Sequence, residues 1–96
     1  MDLQELREKH RDFILAKAEE VGLANVRIFG SVARGTAGVD SDLDILVDLK
    51  KKMGFFRFFD FQYALQDELK MPVQVVTEDA LSPFFKQKVL TQAKPL

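Results

Sequence analysis

The chain has 96 residues, is 47% apolar and 30% charged, and carries a formal net charge of −1. This composition predicts one soluble globular domain over residues 1–96 with a single modest core, and argues against a disordered chain. No apolar run approaches the roughly 20 residues of a membrane-spanning helix. The opening residues Met1 to Glu5 lack the basic-then-apolar pattern of a signal peptide, so the expected location is the cytoplasm and no membrane partner is expected. The absence of cysteine excludes disulfides, thiolate zinc sites and cysteine nucleophiles. A charge near neutrality makes nonspecific nucleic-acid binding an unfavoured reading.

In chain order, Leu3, Leu6, His10, Phe13, Ile14 and Ala18 recur at helical spacing and predict an amphipathic helix over 3–20, stopped by Gly22. His10, the sole histidine, continues this stripe and reads as structural. Val26 to Phe29 is a short strand, Ser31 to Ala37 a short helix or turn with Ser31 at the capping position, and Leu43 to Leu49 a second strand. The spacer between the strands is too short for a parallel crossover, which predicts antiparallel neighbours. Phe55 to Leu69 then reads as a helix, Pro72 to Val76 as a third strand, and Ser82-Pro83 as the start of a closing helix. Lys50-Lys51-Lys52, Lys86, Lys88 and Lys94 make the second half mildly basic. They read as solvated lysines, with phosphate steering as the alternative.

The informative stretch lies between the first two strands. Gly30-Ser31 ends one apolar run, and Asp42-Leu43-Asp44 opens the next. Side chains alternate along a strand, so Asp42 and Asp44 project from one face, close enough to share a divalent cation. Gly30 lacks a Cβ, which allows a phosphate to approach the backbone, and Ser31 adds a hydroxyl. Arg34, one helical turn on from Ser31, either reaches the same phosphates or pairs with Asp40 or Asp42. Gly35 and Gly38 permit the loop.

These residues resemble the minimal nucleotidyltransferases of the DNA polymerase β superfamily, whose signature is an apolar residue, Gly-Ser, a spacer, and Asp-x-Asp inside a hydrophobic strand. The resemblance runs from the first helix to the closing one. It implies a small two-layer α+β fold, with a mixed sheet of about three strands and helices packed on it. It also implies Asp42 and Asp44 as catalytic metal ligands for Mg2+, with Gly30, Ser31 and Arg34 binding ATP or a related nucleoside triphosphate.

One position departs from the family. Its third strand usually carries another aspartate that completes the metal site and helps deprotonate the acceptor, and here Val73-Gln74-Val75-Val76 has an amide. An amide brings no negative charge and is a far weaker base, so catalysis should suffer more than nucleotide binding. Asp48 lies about 13 Å along the strand from Asp44, and Glu78 about 13 Å from Gln74, so neither is a good replacement. Asp40, in the spacer, stays open as a substitute.

Phe55, Phe56, Phe58, Phe59, Phe61 and Tyr63 crowd one helix. At about 100° per residue, Phe55, Phe58, Phe59, Leu65 and Leu69 form a core-facing arc, flanked by Phe56 and Tyr63 on one side and Phe61 on the other. An apolar sector this broad predicts a partner surface at Phe56, Phe61 and Tyr63, for a second copy or another protein. The alternative is a wide buried helix covered in part by Phe84 and Phe85. By family resemblance the partner is a small helical HEPN toxin, neutralised by its nucleotidyltransferase antitoxin, in some cases by transfer of AMP to a toxin tyrosine. Two functions therefore compete. One is an adenylyltransferase-type antitoxin. The other is a catalytically impaired binding module that neutralises its partner by complex formation, a reading that Gln74 favours.

Overall fold

Apolar residues alternate with polar ones along each main strand, and this alternation divides the molecule into two faces. The computed structural model describes residues 1–50 and 55–96. Lys51 and Lys52 of the lysine run, and the side chain of Phe55, lie outside the described residues. Helices α1 (Leu3–Lys9) and α2 (Arg11–Val21) lead into strand β1 (Leu23–Phe29), a one-turn helix α3 (Gly30–Arg34) and strand β2 (Leu43–Leu49). Helix α4 (Phe55–Leu69), strand β3 (Val73–Thr77), a 3-10 turn (Glu78–Ala80), helix α5 (Pro83–Gln92) and strand β4 (Lys94–Pro95) follow.

The sheet has four strands in the order β3-β2-β1-β4. β1 pairs antiparallel with β2, as the short spacer predicts, while β2 and β3 run parallel with Asp44 opposite Gln74. The fourth strand exceeds the three expected. Its two residues pair antiparallel with β1 at the sheet edge, and Leu96 beyond them donates its N–H to the Val26 carbonyl at 3.1 Å and is buried. A two-residue strand containing proline has no periodicity from which to be read.

Val26, Ile28, Leu43, Ile45, Val47, Val73 and Val75 point to one face and join Leu6, Ile14 and Ala18 of α1 and α2 and Phe61, Leu65 and Leu69 of α4 in the main core. The other face carries Arg27, Phe29, Asp44, Leu46, Asp48, Gln74 and Val76 by strand alternation. There Leu46 and Val89 of α5 are buried outside the main cluster. Helices α1, α2 and α4 thus cover one face, and α5 partly covers the other.

Four expectations need correction. The first helix is two helices, because His10 (φ −127°, ψ −5°) caps α1 and opens α2; its N–H still bonds the Leu6 carbonyl at 2.9 Å, and its own carbonyl accepts from Ile14 at 3.0 Å. β1 starts at Leu23, where a register shift between Ala24 and Arg27, with Asn25 at φ 51°, lets the strand continue past polar residues. Ser31 does not cap α3: it lies inside the helix, whose N-cap is Phe29 without a side-chain bond. Phe61 is 0% exposed and belongs to the core, whereas Phe56 and Tyr63 are 83% and 60% exposed.

The edge strand β3 is partly closed by its own helix. Gln66 Oε1 accepts from the Val73 N–H at 3.1 Å and Gln62 Oε1 from the Val75 N–H at 3.3 Å. These side chains satisfy donors that an edge strand otherwise offers to another chain. At the far end of the site-facing surface, Arg27 bonds Asp48 at 2.7 Å and Glu78 at 3.1 Å, joining β1 to β2 and to the turn after β3.

Candidate functional site

The site forms where β1 ends and β2 and β3 begin, on the sheet face that carries α5. A cavity of about 610 Å³ there is lined by Gly30, Ser31, Arg34, Asp40, Asp42, Asp44 and Gln74, and by Phe85, Lys88 and Gln92 of α5. All the residues singled out for nucleotide and metal binding therefore converge, although Asp42 precedes the strand proper. Phe56 and Tyr63 are absent from this lining.

Gly30 has φ +72°, a left-handed conformation that disfavours any side chain. A Cβ at this position would collide with the Asp44 carboxylate, with the Asp44 Cγ only 3.1 Å away. Glycine is thus required here by the carboxylate, a closer neighbour than the phosphate for which the sequence reading reserved the space. Gly35 (φ 78°) ends α3, and its N–H reaches the carbonyls of Ser31 and Val32. The following loop is closed by the Gly38 N–H donating to Ser41 Oγ at 2.8 Å.

Burial pushes the Asp44 carboxyl above its ordinary range, the Asp42 carboxylate adds to the rise, and the Arg34 guanidinium opposes it. The Asp42 carboxylate is therefore close enough to disfavour the charge on Asp44, a situation that a bound cation relieves. Among the described residues no group of three or more histidine, cysteine, aspartate or glutamate side chains is placed to hold a metal. Two carboxylates remain, hard oxygen donors of the kind that would hold a divalent cation together with a ligand's phosphates. The residues present fit that ion in this shared mode.

Arg34 donates to Gln92 Oε1 at 3.2 Å; neither partner foreseen for it, Asp40 or Asp42, takes up an ion pair with it among the described residues. Asp48 and Glu78 are both committed to Arg27, which supplies a second reason, beside distance, why neither replaces the missing carboxylate. On α5 the sequence pointed only to Lys86 and Lys88, as the alternative of phosphate steering, and not to Phe85 or Gln92 as site residues. The i, i+3, i+4, i+7 spacing of Phe85, Lys88, Val89 and Gln92 was the available signal, because it puts them on one helix face.

An acidic wall facing a Gly-Ser bend and a guanidinium, mounted on a small mixed sheet, places the protein among the nucleotidyltransferases. Residues 5–96 match the nucleotidyltransferase domain, and the chain belongs to that family. It is similar to the protein adenylyltransferase MntA of Thermococcus cleftensis, with 32% identity over 74 residues, 77% of this chain and 75% of the relative. A Methanocaldococcus jannaschii chain assigned as a protein adenylyltransferase shares 29% identity over 93 residues, 97% of this chain and 96% of the relative. Among solved structures, one in the minimal nucleotidyltransferase class superposes with a TM-score of 0.86 at 40% identity, covering 100% of this chain and 97% of the other. A toxin-antitoxin complex with AMP-PNP gives a TM-score of 0.76 at 25% identity, over 90% of this chain and 71% of the other.

Proposed function

We propose that the protein is a magnesium-dependent adenylyltransferase of the antitoxin type, which transfers AMP from ATP to a hydroxyl on a protein partner, a HEPN toxin. The observation that carries this reading is the convergence of Asp42 and Asp44 with Gly30, Ser31 and Arg34 around one cavity of nucleotide size. The similar protein adenylyltransferases and the toxin-antitoxin complex with AMP-PNP support the acceptor class and the nucleotide. We place the work in the cytoplasm and in the single domain over 1–96.

In the reaction, an acceptor hydroxyl oxygen bonds to the α-phosphorus of the triphosphate, and the bond from that phosphorus to the bridging oxygen breaks, releasing pyrophosphate. Bound Mg2+ supplies neutralisation of charge on the phosphate oxygens. Asp42 and Asp44 would hold the ion, and Gly30 keeps the space in which the Asp44 carboxylate sits. Arg34, steadied by Gln92, directs its donors at the phosphates. Gln74 offers no base, so the proton of the attacking hydroxyl passes to Asp40, which also lines the cavity, or to solvent.

Gln74 favours a second reading, in which the chain binds nucleotide and partner but neutralises by occlusion alone. Incubation with labelled ATP, magnesium and the product of the neighbouring reading frame separates the two. Label transfer by the wild type that Asp44→Asn abolishes supports the enzyme. No transfer by the wild type, with gain in Gln74→Asp, supports the binding module.

A further inference from the structure

α5 is an unusual wall for the cavity, because each residue on its inner face has a distinct surrounding. Val89 is buried and anchors the helix to the sheet. Gln92 holds the Arg34 guanidinium. Phe85 and Lys88, on the same face, line the cavity without such structural employment: Phe85 is half exposed, and Lys88 makes no ion pair among the described residues. Lys86 provides the contrast. Two residues away and turned to another side of the helix, it meets Glu78 at 3.9 Å.

The chemistry of the lining separates in the same way. Besides Arg34, Lys88 is the one cationic side chain among the lining residues, facing a wall that holds Asp40, Asp42 and Asp44. Val76 and Leu81 add apolar surface beside Phe85. A ligand that engages both Lys88 and Phe85 needs negative charge for the ammonium and a flat apolar face for the ring. A nucleoside triphosphate has both.

We propose that α5 reads the nucleotide: Lys88 holds the terminal phosphates and so selects a triphosphate over a monophosphate, while Phe85 stacks on the base. This rests on the nucleotide-binding reading above and deepens it by assigning the discrimination to two named residues. A charge-assisted lysine–phosphate contact and an aromatic–base stack are each large enough to be seen in binding affinity.

The test is calorimetric titration of the full chain with ATP, AMP and adenosine in magnesium. Lys88→Ala is expected to weaken ATP about tenfold while changing AMP less than about twofold, and Lys88→Arg to restore most of the loss. Phe85→Ala is expected to weaken ATP, AMP and adenosine together by about fivefold to tenfold, with Phe85→Tyr close to wild type. Lys86→Ala should leave all three unchanged. A Lys88→Ala protein that keeps the wild-type ratio of ATP to AMP affinity overturns the assignment, as does a Phe85→Ala protein that binds as the wild type does. A wild type that binds none of the three defeats the nucleotide reading itself, a separate outcome.

Discussion

Gly30 and Asp44 form a single unit, since the backbone of one leaves the space that the side chain of the other fills. Gly30→Ala is expected to cost about 1–2 kcal/mol for the left-handed conformation alone, with further loss from displacing the carboxylate. Urea unfolding measures the first effect, and loss of magnesium-dependent ATP binding the second. Asp44 itself carries a raised pKa, so its ionised form destabilises the folded state at neutral pH. The sign follows from linkage: stability is relieved as pH falls through the folded pKa, and the penalty is gone below the ordinary value of 3.8. Metal-free Asp44→Asn should therefore melt above the wild type at pH 7. The gap should narrow on acidification, and thermal melting from pH 7 to pH 3 checks it. At this scale the acidic pair and the Gly-Ser bend were legible, because motif spacing constrains chemistry directly. The partner of Arg34 was not, since Gln92 lies 58 residues away.

Helix α4 shows where periodicity misleads. Its boundaries matched the expectation from Phe55 to Leu69, and Phe58, Leu65 and Leu69 of the expected arc pack in or against the core, but that arc left out Phe61. The many aromatics of its N-terminal part broadened the apolar sector and set Phe61 on its flank, whereas Phe61 lies with Leu65 and Leu69 on the buried side. Phe61 stands four and eight residues before Leu65 and Leu69, directly in line with them. Phe61→Ala is accordingly expected to cost about 3–5 kcal/mol, against less than about 0.5 kcal/mol for Phe56→Ala. Chemical denaturation of the two variants decides it, and equal effects would mean that the helix faces the other way. Tyr63 and Phe56 belong to the outer side, and half-buried Phe59, stacked on Tyr63 with ring centroids 6.0 Å apart, borders it. The exposed sector is narrower than expected but still present.

On the scale of the molecule, the aromatic surface and the cavity lie on opposite sides of the sheet. α4 packs on the face of Ile45, Val47, Val73 and Val75, and the cavity opens on the face of Asp44 and Gln74. A protein or second copy docked on Phe56 and Tyr63 would therefore sit across the sheet from the cavity, and in the proposed reaction the acceptor hydroxyl would have to enter from the side of α5. The double variant Phe56→Ser/Tyr63→Ser is expected to change the oligomeric state or partner affinity while leaving ATP affinity within about twofold. Sedimentation velocity paired with nucleotide titration measures both, and a coupled loss would contradict the separation of the faces.

Local pattern was enough to place the α4 and α5 helices, the three longer strands to within a few residues, the antiparallel pairing of the first two and the acidic motif. Each of these depends on neighbours in sequence, through side-chain alternation, helical spacing or the reach of a short loop. Only the tertiary structure decided that Asp44 occupies the missing side chain of Gly30, that Arg27 takes Asp48 and Glu78, that a two-residue strand closes the sheet, and that α5 walls the cavity. Those outcomes depend on which distant segments the apolar faces bring together when they bury against one sheet. That choice is made by packing in three dimensions and leaves no fixed spacing along the chain.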